Sequence, residues 1–116
     1  MIVKNNGEEM HTLFEKGKEY VVLSIEFNDG IPFVRILAED AQPRLMRMEE
    51  FDIISGEIDP SWQVVLAGGR VCVGPPSWYN PGFWQAYFDD EPGEKSVFLK
   101  ISEKIISRGA ERKAID

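Results

Sequence analysis

The first two thirds of the chain alternate hydrophobic and polar positions, a pattern typical of β-strands that bury one face. In the clearest run, residues 20–27, Val21, Leu23, Ile25 and Phe27 fall on one side. Short segments rich in Gly, Pro, Asn and Asp separate such runs and predict tight turns. The predicted strands are residues 20–27, 33–38, 44–48, 51–55, 62–66 and 70–73.

Aromatic residues concentrate between residues 75 and 91, which hold six of the 13 in the chain. Asn80 and Pro81 predict a helix start there, because Asn caps orphan amides and Pro suits the first helical position. Pro92 and Gly93 predict its end. Helical spacing places four aromatic side chains on one face. We expect Phe83, Trp84 and Phe88 to be core residues, and Trp78, Tyr79 and Tyr87 to lie at the rim.

A second helix is predicted over residues 94–107, where hydrophobic residues recur at helical spacing. Gly109 lies where a glycine often terminates a helix. A strand over residues 97–101 is the alternative, because Val97, Leu99 and Ile101 also alternate.

Strands followed by helices predict a mainly β (α+β) fold. The specific expectation is a small SH3-like antiparallel curled sheet, or a partly open barrel of five or six strands. It is followed by the short aromatic helix and a C-terminal helix. We expect a loose segment at 1–12 with a possible brief strand at 1–4, a single globular domain at 13–107, and a frayed tail at 108–116.

The length of the chain limits the number of domains, and its net charge limits the classes of partner that it can bind. The chain has 116 residues, enough for one domain, and a net charge of −7. That charge disfavours nucleic acids and anionic membranes and favours a basic protein partner. The single Cys72 and the lack of an apolar leader or membrane-spanning run predict a cytoplasmic protein.

Catalytic signatures are missing from the sequence. His11 is the only histidine and is expected at the surface, so it offers neither a triad nor a zinc-ligand pattern. Cys72 lies within a strand pattern and is expected to be an apolar filler. Gly17 and Lys18 lead into a strand, unlike a phosphate-binding loop. We therefore expect a non-enzymatic protein with no cofactor and no metal.

An acidic cluster directly follows the aromatic helix. Asp89, Asp90 and Glu91 would lie at its C-terminal end, which is unfavourable for the helix dipole. One interpretation is a set of solvated turn residues, and the other is a contact patch for a basic partner. The candidate contact residues are Trp78, Tyr79, Tyr87, Asp89, Asp90 and Glu91, with Glu49 and Glu50 as a second patch.

The order of these signals resembles small bacterial immunity proteins, the cognate inhibitors of polymorphic or contact-dependent toxins. The resemblance lies in FEKGKEYVVL at 14–23, FVRIL at 33–37, FDII at 51–54, PSW at 60–62 and PGFWQAYFD at 81–89. It is a match of overall pattern and covers roughly residues 14–98. It implies a small cytosolic protein that blocks a toxin domain by direct binding, with no shared catalytic residues.

Two alternatives from other classes stay open. One is an SH3-like adaptor or assembly module that binds a peptide or a subunit. The other is a homo-oligomeric structural protein in which the aromatic patch forms the seam. The sequence leaves both a monomer and a homodimer possible.

Overall fold

The computed structural model describes residues 1–7 and 13–115. The expected surface position of His11 lies outside this part of the chain. Within it the chain forms eight strands, two short 3₁₀ segments and two α-helices. The strands are β1 (Ile2–Asn5), β2 (Glu19–Val21), β3 (Ser24–Asn28), β4 (Ile31–Leu37), β5 (Pro43–Arg47), β6 (Phe51–Ser55), β7 (Gln63–Ala67) and β8 (Arg70–Gly74). The 3₁₀ segments are Met48–Glu50 and Pro76–Tyr79, and the α-helices are α1 (Phe83–Phe88) and α2 (Pro92–Ile115).

The strands form two antiparallel sheets, one of three strands in the order β2-β1-β6 and one of five in the order β5-β4-β3-β8-β7. Neither sheet closes on itself, and the helices follow the strands. The predicted α+β class with a curled antiparallel sheet is confirmed, with eight strands in place of five or six.

Residues 20–27 do not form the single strand that their alternation predicts. Val22 and Leu23 are both fully buried, which breaks the alternation. The Val22 amide donates to the Met1 carbonyl beside β1, whereas the Leu23 amide donates to the Arg35 carbonyl on β4. The chain therefore leaves the three-stranded sheet and enters the five-stranded sheet between two consecutive residues.

The N-terminal segment belongs to the core. β1 is the middle strand of its sheet, and Val3 on it is fully buried among the other core side chains. The expectation of a loose segment is therefore wrong for residues 1–5, whereas the possible brief strand at 1–4 is found as β1. A single cluster of buried residues spans both sheets and both helices, and includes Val3, Leu23, Val34, Ile36, Trp78, Phe98 and Ile105.

Both predicted boundaries of the second helix are wrong. α2 begins at Pro92, which was predicted to end the preceding helix. Proline suits the first turn of a helix because its missing N–H would be unpaired there. The helix covers residues 97–101, so the strand alternative fails, and it continues through Gly109 to Ile115 where a frayed tail was expected. A Cβ on Gly109 would lie 2.8 Å from Cγ2 of Val21, so this glycine permits close packing of α2 on β2.

The first helix also starts later than predicted. The Phe83 amide donates to the Asn80 carbonyl over 3.0 Å, and Gly82 has a φ of 81°. These values, with Pro81 in the second position, describe a type II β-turn in place of an N-cap. The six residues of α1 follow directly after this turn.

Candidate partner-binding surface

Two of the predicted aromatic contact residues lie in the core. Trp78 is fully buried, with its ring centroid 5.0 Å from that of Phe98 and 5.8 Å from that of Trp84. Tyr87 is also buried and packs 5.0 Å from Phe98. The prediction that Trp78 and Tyr87 occupy the rim is therefore wrong, because α2 supplies Phe98 as a partner that the β-strands alone do not offer.

Tyr79 is half-buried and faces inward. Its hydroxyl donates to Oε2 of Glu26 over 3.3 Å. Burial raises the pKa of the Tyr79 phenol above its ordinary range, with the Glu26 carboxylate adding to the effect. The polar end of this side chain is thus used inside the molecule, so Tyr79 offers little to a partner.

Phe88 was predicted to be buried but is exposed, the opposite of the error made for Trp78 and Tyr87. Its side chain is 55% exposed, although it was expected in the core. At about 100° per residue it lies about 140° around the helix from Phe83, at the margin of the apolar arc. That angular position is the signal that could have found it.

Phe88 borders an apolar surface pocket. The pocket has a volume of about 430 Å³, and β5 supplies most of its wall. The residues that line it with Phe88 are Leu13, Phe14, Pro43, Arg44, Leu45 and Met46.

The three acids of the cluster are all exposed beside Phe88, but they are not equivalent. Asp90 has a left-handed φ of 61° and pairs with Lys95, with 3.1 Å between Oδ1 and Nζ. Lys95 Nζ also lies 3.9 Å from the centroid of the Tyr87 ring. Asp89 and Glu91 form no ion pair with any described residue, so two unpaired carboxylates follow the exposed Phe88 at one and three residues along the chain.

The second predicted acidic patch lies on the 3₁₀ segment Met48–Glu50. Glu49 is exposed and pairs with Arg47 over 3.2 Å, which offsets its charge. Glu50 is half-buried, and its carbonyl accepts from the Asn6 amide. These two residues therefore offer a weaker negative surface than Asp89 and Glu91.

A buried ion pair lies beneath α1, and sequence reasoning missed it. Arg35 on β4 donates to Glu26 on β3, and both side chains are buried. The Arg35 guanidinium carbon lies 3.8 Å from the centroid of a Trp84 ring, within cation–π range. Glu26 and Arg35 lie on the same face of the sheet because of the register between β3 and β4. Alternation of hydrophobic and polar residues does not specify that register, so the sequence did not predict the pair.

The cleft next to this ion pair contains a thiol and a phenol with raised pKa values. It has a volume of about 500 Å³ and is lined by Glu26, Cys72, Tyr79 and Trp84 among others. Burial, reinforced by the charge of Glu26, raises the pKa of the Cys72 thiol. Because the thiol and the phenol both stay protonated at neutral pH, neither is an activated nucleophile.

A second internal ion pair joins the linker before β7 to α2. Arg108 donates from Nε and Nη2 to the two carboxylate oxygens of buried Asp59, over 2.9 and 2.8 Å. Burial opposes ionisation of Asp59, but Arg108 and the Ser61 hydroxyl and amide outweigh it and lower the pKa of Asp59 to about 2. This pair is structural, since the carboxylate is fully engaged inside the protein.

No group of three or more His, Cys, Asp or Glu side chains in the described part of the chain is arranged to hold a metal ion. No described helix combines the length and apolar character required to span a membrane. Comparison with known proteins assigns no family, since no family model, curated protein or solved structure matches the chain.

Proposed function

We propose that this chain is a non-catalytic acidic binding protein whose partner is a basic protein domain. The observation that carries the proposal is the exposed Phe88, followed within three residues by the exposed, unpaired carboxylates of Asp89 and Glu91. We define these residues, with Asp90 and the adjoining β5 pocket, as the Phe88 surface.

The Phe88 surface combines two kinds of contact that suit such a partner. An exposed aromatic ring next to an apolar pocket supplies an anchor that loses water on binding. Carboxylates around it attract a basic surface and increase the association rate. The net charge of −7 acts in the same direction at longer range.

Within that class, the resemblance to bacterial immunity proteins supports a cytoplasmic inhibitor that neutralises a cognate toxin by direct binding. A toxin domain that acts on nucleic acid presents a basic face, which the Phe88 surface would cover. Burial removes Trp78 and Tyr87 from the contact set, and Tyr79 contributes only its exposed part. Glu49 and Glu50 remain as peripheral acids.

An adaptor that binds an apolar peptide is the second candidate. The pocket of about 430 Å³ along β5 favours it, because such a pocket can accept a hydrophobic side chain. Its binding would depend little on salt, whereas binding by free carboxylates weakens as salt screens them.

The test starts by identifying the partner and then measures its association. The chain is used as bait in a lysate of its native organism at low and high salt, and the recovered partner is purified. Binding is then measured for the variant Asp89→Asn/Asp90→Asn/Glu91→Gln and, separately, for Phe88→Ser. The matched control Asp52→Asn/Glu103→Gln/Glu111→Gln changes the net charge by the same amount at exposed sites elsewhere.

We expect the acidic-cluster variant to lower the association rate at low salt by about tenfold or more, with a smaller effect at high salt. Phe88→Ser should increase the dissociation rate by a similar factor. The control should remain within about threefold of the wild type. Equal binding by all four proteins would contradict the site, and salt-independent binding that Phe88→Ser alone weakens would favour the adaptor.

A further inference from the structure

β7 is an edge strand: no strand of the described chain pairs on its outer side, although the 3₁₀ segment Pro76–Tyr79 also contacts it. β7 forms the free side of the five-stranded sheet, and its sequence, Gln63-Val64-Val65-Leu66-Ala67, carries no charge. Val64 and Leu66 are 74% and 75% exposed, more than any other large hydrophobic residue in the described chain. Exposed, uncharged edges of this kind are templates for further strand pairing.

The backbone of β7 has free hydrogen-bonding groups on the same edge. The hairpin turn to β8 consists of Gly68 and Gly69, with φ values of 60° and 76°, and closes on the pair Ala67–Arg70. In a two-residue hairpin the closing pair exchanges hydrogen bonds and the pairs then alternate. The amides and carbonyls of Val64 and Leu66 therefore point away from β8. Among described residues, no backbone group outside that ladder hydrogen-bonds to β7.

The other three edge strands of the two described sheets differ from β7. β5 contains a proline and the charged Arg44 and Arg47. β2 contains Glu19, and β6 contains Asp52. Charged residues and prolines discourage pairing at a sheet edge, and β7 is the only edge strand of the two described sheets that contains neither.

We propose that β7 pairs antiparallel with β7 of a second copy of this chain, about a twofold axis at Val65. This register places Val64 opposite Leu66 of the second copy and Gln63 opposite its Ala67. Because the outward backbone groups belong to Val64 and Leu66, the two copies exchange four hydrogen bonds and join their sheets into one of ten strands.

The side chains favour a second copy over an unrelated strand. Leu66 lies opposite Val71 on β8, and Phe27 continues the same face on β3. The pairing joins two such apolar rows across the axis and brings no charge opposite a like charge. Only five residues per copy pair, so the interface is small and the dissociation constant is on the order of 0.1 mM. Association strengthens with salt, because both copies carry the charge of −7.

The experiment is analytical ultracentrifugation of the full chain from about 10 µM to about 1 mM, at low and high salt. Leu66→Lys places a charge on the edge. Leu66→Pro removes the outward amide but no hydrogen bond to β8, a substitution that edge strands tolerate. The matched control is Leu99→Lys on α2, where the leucine is 56% exposed. Circular dichroism confirms that each variant is folded.

We expect the wild type to dimerise and both Leu66 variants to raise the dissociation constant at least about tenfold. Leu99→Lys should remain within about twofold of the wild type. Amide exchange at Val64 and Leu66 should slow as the protein concentration rises. A chain that stays monomeric throughout overturns the proposal, as does association that Leu66→Lys leaves unchanged. Association that Phe88→Lys weakens and Leu66→Lys does not would place the seam at the Phe88 surface.

Discussion

One missing Cβ atom sets how closely α2 lies on the three-stranded sheet. A methyl group on Gly109 would lie 2.8 and 2.9 Å from the two γ-carbons of Val21. Contacts this short require either the helix or the strand to move. The glycine therefore has a packing role, although its position in the sequence is equally typical of a helix end.

Gly109→Ala should destabilise the fold by about 1–3 kcal/mol through overpacking, even though alanine is the better helix former by about 1 kcal/mol. Urea unfolding measures the change. Adding Val21→Ala should recover part of the loss by making room, whereas two additive losses would contradict the close approach. Gly93→Ala in the same helix has no neighbour within 4 Å and serves as the control, with an expected neutral or stabilising effect.

The Asp59–Arg108 pair should make stability depend on acid pH. The pKa of Asp59 is about 2 in the folded chain and 3.8 in its ordinary state, so folding favours the ionised carboxylate. The resulting stabilisation, about 2 kcal/mol, is present above about pH 4 and is lost as the pH falls toward 2. The free energy of unfolding of wild type minus that of Asp59→Asn should therefore decrease by about that amount between pH 6 and pH 2. A difference that stays constant with pH would contradict the assignment, and Asp52→Asn at an exposed site is the control.

At this scale, residue type predicted environment only in part. Phe88 is exposed and Trp78 is buried. This is the reverse of what is expected from the polar N–H group of tryptophan, which usually favours a position at the edge of the core. The indole of Trp78 is enclosed because Phe98 and Trp84 surround it. Phe98 belongs to α2 and lies 20 residues after Trp78 in the chain, so no local pattern could have shown this contact.

Among the elements, α1 is too short to hold itself in place. Six residues give few internal hydrogen bonds, so its stability comes from docking. Trp84 contributes by stacking on Arg35, which is fixed by Glu26. The helix that presents the Phe88 surface therefore depends on a buried ion pair in the sheet below it.

Replacing only Arg35 should destabilise the fold more than replacing both Glu26 and Arg35. Arg35→Met leaves Glu26 as an unpaired buried charge and should cost about 3–5 kcal/mol. The double variant Glu26→Leu/Arg35→Met replaces the pair by apolar side chains and should be more stable than Arg35→Met alone by at least about 1 kcal/mol. Chemical unfolding of the two single variants and the double variant completes the cycle. Additive losses would show that Glu26 and Arg35 do not interact energetically.

Element types followed from the sequence better than element partners did. The β7–β8 hairpin was predicted almost in place, since two glycines between apolar runs specify a tight turn. The run at 20–27 was assigned one strand, because periodicity records which side chains are apolar but not which sheet each amide joins. α2 was predicted as a helix and misjudged only at its ends, where Pro92 and Gly109 suit more than one role.

For the whole molecule, composition gives the net charge of the surface but not where the exposed aromatic residue lies. Net charge and the acidic cluster led to the prediction of a basic partner; the cluster is exposed, which both the contact-patch and the solvated-turn interpretations require. The packing of α1 against α2 determines which aromatic residue near the acidic cluster is exposed. The Phe88 surface and the β7 edge lie on different elements, so variants at one can serve as controls for the other.

The central position of β1 affects how the chain folds. β3, β4 and β5 pair through consecutive hairpins, whereas β1 needs β6, which lies about fifty residues downstream. Such non-local pairing is slow, because a long loop must close before contacts compensate for its lost entropy. During synthesis on the ribosome, β1 can pair early with β2, but we expect its other edge to lack a partner until β6 emerges. An unpaired edge of that kind exposes a nascent chain to wrong pairing and aggregation.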